Sequence, residues 1–525
     1  AETQKLIDSR PDIQRPMENL NRGAVAVRMD GYTYISWRWL GTESADTRYN
    51  IYRSLTEMSS YGQKINNEPL NATNFTDLFI ASDDTQYFIV PVVNGEEQWD
   101  KVGAVQLWDN NYMDIPIQKP ENNKVNGEEY SYTPGDASVG DLDGDGEYEI
   151  ILKWDPSNSH DNAHEGYTGE VYIDCYRMNG EQLWRINLGK NIRAGAHYTQ
   201  FMVYDLDGDG KAEVVMRTAD GTIDSKGKVI GDANADYREE GTFDPSRNQI
   251  MKQGRILKGK EYLTVFSGDT GEALHTIDYI PARGNVADWG DAKGNRSDRF
   301  LACVAYLDGV HPSVVMCRGY YTRTVLAAFD WNGKELKNRW VFDSNHPGCE
   351  QYAGQGNHNL RVGDVDGDGC DETIYGSCAI DHNGKGLYST RMGHGDAIHL
   401  THFDPSRKGL QVWDCHENKR DGSTYRDAAT GEVLLQLKSN TDVGRCMAAD
   451  IDPTHPGVEM WSGDSQGIRN VKGEIIAPKM RNMPTNMAVW WDGDLLRELL
   501  DRSMIIKYDW ENKKFVPLVK FTGTL

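Results

Sequence analysis

The chain has 525 residues, 38% of them hydrophobic and 10% aromatic, with 53 glycines. That is a folded, turn-rich composition, long enough for several domains or one large repeat architecture. The formal net charge of −24 excludes a nucleic-acid partner, whose phosphates require basic surfaces, and no apolar run reaches the roughly 20 residues that span a bilayer.

The chain begins Ala1-Glu2-Thr3, compatible with a processed mature end and an exported protein. Residues 1–15 read as a tail. Residues 16–110 alternate in short runs bounded by turn residues: Ala24-Val25-Ala26-Val27, Tyr32-Thr33-Tyr34-Ile35-Ser36-Trp37, Tyr49-Asn50-Ile51-Tyr52-Arg53 and Gln86 to Val93. The spacing predicts a β-sandwich of about seven strands, and the strand ending in Trp37 followed by Tyr49–Arg53 resembles a fibronectin type III module. Residues 111–130, with Pro116, Pro120 and a run of Asn and Glu, read as a linker.

Residues 131–525 repeat a unit. Asp141-Leu142-Asp143-Gly144-Asp145-Gly146-Glu147-Tyr148-Glu149 returns as Asp205-Leu206-Asp207-Gly208-Asp209-Gly210-Lys211 ending on Glu213, and as Asp364-Val365-Asp366-Gly367-Asp368-Gly369-Cys370 ending on Glu372. Acids at positions 1, 3, 5 and 9 of a glycine-turned loop form a calcium-ligand pattern. The position-7 residues Glu147, Lys211 and Cys370 are counted in the ligand set. Each loop runs into a strand-like apolar run rather than a helix. Asp-Gly segments are also ordinary turns; three copies with one acid spacing argue against that.

Decayed copies follow at Tyr306-Leu307-Asp308-Gly309, at His402-Phe403-Asp404-Pro405, at Asp450-Ile451-Asp452 reaching Glu459, and at Asp492-Gly493-Asp494. With hairpins such as Asn179-Gly180 and Asn332-Gly333 between them, the pattern reads as a β-propeller with seven visible blade starts. An insertion at about 221–260 reads as a loop over one face. The last residues, Phe521–Leu525, read as a strand. Eight cysteines, with no CxxC pair and no zinc spacing, permit disulfides or buried free thiols.

In a propeller the innermost strands line the channel, and its mouth is the usual ligand site. Counting back from each loop collects Asp136, His197, Gln200, His358, Asn359, His394, Asp396, Asp442 and Arg445. Each alone is as well explained as a blade-edge polar group; convergence from five blades favours a site. His358 and His394 would hold a metal or hydrogen-bond a sugar, Arg445 is the cation placed to meet an anionic substrate, and Asp136, His197, Asn359 and Asp396 are assigned to substrate binding.

Four strings are long and unusual: Arg193-Ala194-Gly195-Ala196-His197-Tyr198-Thr199-Gln200-Phe201, Arg299-Phe300-Leu301-Ala302, Cys317-Arg318-Gly319-Tyr320-Tyr321-Thr322-Arg323-Thr324 and Gly354-Gln355-Gly356-Asn357-His358-Asn359-Leu360. By them the chain resembles the rhamnogalacturonan lyases of polysaccharide lyase family 11, secreted bacterial enzymes acting on the rhamnogalacturonan-I backbone of pectin. The resemblance implies an all-β protein, a sandwich followed by an eight-bladed, calcium-stabilised propeller, with several structural calcium ions and one at the active site held by His358 and His394. It places a further blade, with substrate-binding residues, beyond the seven read here. It implies β-elimination at a galacturonosyl residue, with Arg445 as carboxylate partner or base and a lysine of the further blade as the other candidate base. The expected protein is a secreted, periplasmic or cell-surface monomer. Residues 417–424 are too short for a lid, which points to endo action. Two other readings stay open: a propeller glycoside hydrolase, for which Asp136 and Asp396 are the visible carboxylate pair, and a non-catalytic carbohydrate-binding propeller.

Overall fold

The computed structural model describes residues 15–55 and 61–522. The expected tail, apart from Arg15, and the last three residues of the expected terminal strand lie outside these. Among the described residues all long elements are strands.

The N-terminal unit is a sandwich of eight strands. Ala24–Arg28, Thr33–Ser36 and Asn74–Asp77 pair on one side, and Arg48–Ser54, Gln63–Lys64, Gln86–Val93 and Glu96–Glu97 on the other. Gly103–Trp108 joins both, running parallel to Ala24–Arg28 and antiparallel to Gln86–Val93. Alternate residues point inward, and Ala26, Ile35, Trp37, Ile51 and Ile89 form the core. The expected linker contains a hairpin, Asn123–Val125 with Glu128–Tyr130. Asn126 and Gly127 both take positive φ, the two-residue turn that Asn-Gly favours. Tyr130 is buried against Tyr132, Leu152 and Trp154.

Seven antiparallel blade sheets follow, six of four strands and the first of six. Their first strands are Tyr132–Gly140, Phe201–Tyr204, Phe300–Ala305, Arg361–Gly363, Gly395–Thr401, Cys446–Ala449 and Met487–Val489, each packed beside the next. These are the blades of a propeller arc, and every expected blade start lies just after one of them. Second strands such as Glu213–Ala219, Ser313–Arg318 and Gln411–His416 are buried along their whole length, because a blade is covered on both faces by its neighbours. That explains the apolar runs they carry, such as Val214-Val215-Met216 and Val314-Val315-Met316. Tryptophans tie blade to blade: Trp184 Nε1 donates to Gly268 O at 2.7 Å, Trp340 to His382 O at 2.9 Å and Trp461 to Pro484 O at 2.7 Å.

The insertion does more than cover a face. Thr222–Ile223 and Val229–Ile230 widen the first blade to six strands, and Thr242–Asp244 with Gln249–Met251 make a separate hairpin. All eight cysteines are free thiols, six of them buried.

The acidic loops follow the first strands, whereas the candidate polar residues precede them or, for Asp136 and Asp396, lie within them ahead of the loop. The two sets therefore occupy opposite ends of the blades. The sandwich sits at the loop end: Asn21 N donates to Gly146 O at 2.8 Å, Asn74 Nδ2 to Gly493 O at 3.1 Å, and Arg15 pairs with Asp371 at 2.9 Å.

Candidate functional site

The three full acidic loops share one hydrogen-bond pattern. Asp141 accepts from Gly144 N at 2.8 Å and Gly146 N at 3.0 Å, and Glu149 Oε2 accepts from Leu142 N at 2.9 Å. Asp205 with Glu213, and Asp364 with Glu372, repeat these contacts. Both glycines of each loop lie at φ between +78° and +91°, a region open to glycine at no steric cost. Carboxylate oxygens of Asp141, Asp143 and Glu149 converge, as do those of Asp205, Asp207 and Glu213. Burial, reinforced by the neighbouring aspartates, pushes Glu149 up to about 7 and Glu213 and Glu372 to about 8. Glu459, which accepts from Ile451 N and Asp452 N, is likewise pushed to about 8. Such clusters need compensating charge, and an all-oxygen donor set suits a hard divalent cation.

Two of the decayed loops meet that need from within. In the fifth blade Gln411 stands where the others carry the buried Glu, and its Oε1 accepts from Phe403 N at 3.0 Å and Asp404 N at 3.1 Å. In the seventh, Glu498 accepts from Trp491 N at 3.0 Å, and the ammonium of Lys507 sits among Asp492, Asp494 at 2.7 Å and Glu498 at 3.0 Å.

At the opposite end the two singled-out histidines meet. His358 and His394 have ring centroids 4.7 Å apart, and with Asp396 they form a group whose ligand atoms lie within 4.8 Å of one another. His394 Nδ1 faces Gly356 O at 2.5 Å. A carbonyl only accepts, so Nδ1 carries the proton and Nε2 keeps its lone pair. That Nε2 is buried without a hydrogen-bond partner. His358 Nε2 stands 3.3 Å from Asp396 Oδ1, and its Nδ1 meets Tyr320 Oη at 3.0 Å. The donor set fits a cation held by two imidazoles and a carboxylate.

His197 stacks on His358 at 5.2 Å, with Tyr320 Oη 3.4 Å from its Nδ1. Asp161, 3.8 Å from His197 Nε2, is paired with Arg299 at 2.9 Å. Burial holds all three imidazoles down to about 4, and the positive charge of Arg299 adds to this, so all three are neutral at pH 7. Asp396 is pushed up to about 6 by burial, then by Asp442.

The remaining candidates lie around this group. Arg445 is exposed and shares with Asp396, Thr441, Asp442, Asp464 and Thr485 an open cavity of about 610 Å³. Asn359 is half-buried, its Oδ1 without a partner. Asp136 is exposed and bound to Lys153 Nζ at 2.6 Å. The carboxylate pair a hydrolase would use is thus engaged, Asp136 by Lys153 and Asp396 by His358. Asp161, Lys153 and Arg299 escaped the count back from the loops. Asp161 lies on a connection between strands and Lys153 on a second strand, and neither is at a fixed offset from a blade start. Arg299 precedes a first strand and was legible only within the string Arg299-Phe300-Leu301-Ala302.

Three imidazoles with Tyr320 and Arg299, joined through Asp396 to an open polar cavity at one end of a propeller arc, have the make-up of a propeller's ligand site. Comparison with known proteins makes this specific. Residues 112–525 match "Rhamnogalacturonan lyase family 11, C-terminal domain", and residues 15–108 match "Rhamnogalacturonan I lyases beta-sheet domain". The chain is 55% identical to the rhamnogalacturonan endolyase YesW of Bacillus subtilis over 501 residues, covering 95% of this chain and 77% of that protein. It is also 55% identical to the exolyase YesX of the same organism over 531 residues, covering 98% and 83%. The solved structure of a Bacillus licheniformis family 11 lyase superposes with a TM-score of 0.90 at 54% identity, covering 97% of this chain and 84% of that one. The chain belongs to rhamnogalacturonan lyase family 11 and is a polysaccharide lyase.

Proposed function

We propose that this lyase cleaves the galacturonosyl–rhamnose bond of rhamnogalacturonan-I by β-elimination, that it requires calcium, and that it acts within the polymer. The observation that carries the calcium reading is His394. Its proton is committed to Gly356 O, and its buried, unpartnered Nε2 faces His358 and Asp396. Calcium bound there would neutralise the uronate carboxylate and so make the C5 proton easier to remove.

The chain's own residues supply the rest. Arg445, at the cavity mouth, pairs with the carboxylate through its guanidinium fork. An exposed guanidinium has no lone pair to offer, so Arg445 is assigned the carboxylate and not the proton. His197 is neutral, stands outside the donor set, and is oriented by Tyr320; it is the imidazole free to accept a proton. Asp396, which lines the cavity, and Asn359, next to His358 in sequence with a free Oδ1, would fix the sugar hydroxyls. The acidic loops of the first, second, fourth and sixth blades, with Asp364, Asp366, Asp368, Cys370 and Glu372 in the fourth, serve as structural calcium sites.

Endo action is supported by one feature: only a short turn joins Gln411–His416 to Ser423–Asp427, so no lid rises there. A polymer of this size stays outside the cell, which supports export, and we propose a monomer. The test is turnover of rhamnogalacturonan-I, followed by ultraviolet absorbance of the unsaturated uronate. Absorbance should appear with calcium and vanish with a chelator. Reducing ends released without absorbance would mean hydrolysis, and disaccharide as the sole early product would mean exo action.

A further inference from the structure

Asp161, His197 and Arg299 stand together at the cleft but come from three separate connections. Asp161 lies between Glu149–Pro156 and Tyr172–Tyr176 of the first blade, His197 leads into Phe201–Tyr204 of the second, and Arg299 leads into Phe300–Ala305 of the third. Backbone bonds between these connections are long: Phe300 N to His197 O at 3.3 Å and His160 N to Ala194 O at 3.2 Å.

What joins them more closely lies one residue behind each. Asn162 follows Asp161, Tyr198 follows His197 and Asp298 precedes Arg299; the three are 0%, 2% and 4% exposed. Asn162 bonds both of the others. Its N donates to Tyr198 Oη at 2.6 Å, and its Nδ2 donates to Asp298 Oδ2 at 3.2 Å and to Gly294 O at 3.1 Å. Two acceptors against one nitrogen fix which way the amide points. Gly294 leaves room for it, since a Cβ there would stand 3.1 Å from that nitrogen.

Asp298 is itself anchored. Arg318 Nη2 stands 3.1 Å from it and Arg283 Nε 3.5 Å, and each of these guanidiniums also holds Glu261 at 2.7 Å. All four side chains are buried. On the cleft side, Asp161 Oδ1 accepts from Ala163 N at 2.8 Å, while its Oδ2 pairs with Arg299 Nη1 at 2.9 Å and faces His197 Nε2 at 3.8 Å. One amide therefore links a buried ionic cluster to the groups that face the ligand. Its own Oδ1 is buried without a hydrogen bond, a cost that stability alone does not favour.

We propose that Asn162 is a positioning residue of the lyase: through Tyr198 and Asp298 it holds Asp161, His197 and Arg299 in one arrangement at the cleft. The proposal rests on the reading of His197 as the proton acceptor, whose placement the reaction needs to within a fraction of an ångström.

The test is a double-mutant cycle in the full chain with calcium, read by ultraviolet absorbance of the unsaturated product. Asn162→Ser should lower kcat on the order of 10²-fold with KM nearly unchanged. In an Asp161→Asn background the same change should cost little more kcat, yet lower the thermal midpoint by as much as it does in the wild type, because only the catalytic effect passes through the aligned groups. Tyr198→Phe, which removes a single hydroxyl, should reproduce the kcat loss if Asn162→Ser folds poorly. A crystal structure of either variant should show Arg299 released from Asp161. Wild-type kcat in both variants, losses that multiply across the cycle, or an Arg299–Asp161 pair kept at its present distance would each overturn the proposal. His197→Gln tests the other reading separately: wild-type kcat there would reject His197 as the base, while the cycle, which leaves His197 in place, would still measure the coupling.

Discussion

One hydrogen bond determines what His394 can do. Its Nδ1 is held by Gly356 O at 2.5 Å, so the tautomer is set and only Nε2 is free for a cation. Replacing His394 by Gln keeps a polar side chain but removes that donor. The expected result is a fall in kcat/KM of about 10²-fold or more, the range seen when one preorganised electrostatic stabiliser is lost, with the thermal midpoint nearly unchanged. A midpoint that collapses alongside activity would mark His394 as a folding residue instead. His399, nearby on Gly395–Thr401, shows the stability side of the same burial. Its Nε2 meets Cys446 O at 3.1 Å, and burial holds it down to about 4 against 6.5 in the unfolded chain. Between those values the unfolded chain binds a proton that the folded chain refuses. The contribution is therefore whole above about pH 6.5 and is lost as pH falls through about 4. At 1.36 kcal/mol per unit this is on the order of 3 kcal/mol. His399→Gln should flatten the decline of urea-unfolding free energy between about pH 7 and pH 4.5; identical slopes in the two proteins would refute it. At this scale the sequence was legible where a ruler existed. His358, His394 and Asp396 lie within a narrow window of about eight residues before an acidic loop, and the fold brings them together. Asp161 and Lys153 reach the site from positions with no periodic mark, so nothing in the string distinguished them from ordinary surface charges.

At the scale of the element, the loops show how one motif is kept and decays. The backbone donates the same contacts throughout, from Leu142 N to Glu149, Phe403 N to Gln411 and Trp491 N to Glu498. Only the source of compensating charge changes: an unfilled need in the first and second blades, a neutral amide in the fifth, the Lys507 ammonium in the seventh. The blade starts were legible because Asp-Gly spacing forces the turn, and the second strands because burial on both faces favours short apolar runs such as Val214-Val215-Met216. The internal cation was not, since Lys507 lies 13 residues beyond Asp494 on a neighbouring strand. This predicts that Lys507→Ala leaves Asp492, Asp494 and Glu498 facing one another. The variant should lose about 1–3 kcal/mol in chelator, the cost of stranding partly buried acceptors. Calcium should return most of it, giving the variant a larger calcium-induced rise in thermal midpoint than the wild type. Equal rises would mean that the seventh loop has no latent cation site.

At the scale of the whole molecule, charge sets a problem that the local site must overcome. The chain carries −24, and a galacturonate polymer is itself a polyanion. Arg445 and Arg299 are positive over a few ångströms, but the long-range field that an approaching polymer meets is repulsive. Each bound divalent ion offsets two charges, so even several leave the surplus negative. Monovalent salt shortens the range of that field to about 10 Å at 0.1 M, while contacts inside the cavity are screened much less. The expected outcome is that kcat/KM on long polymer rises several-fold as monovalent salt is raised from about 10 mM to about 150 mM at fixed free calcium, with kcat nearly constant. Short oligomers, which carry fewer charges, should show a smaller rise. A steady decline with salt would mean that the positive rim governs encounter from a distance, and that the net charge of the chain lies where the substrate does not pass.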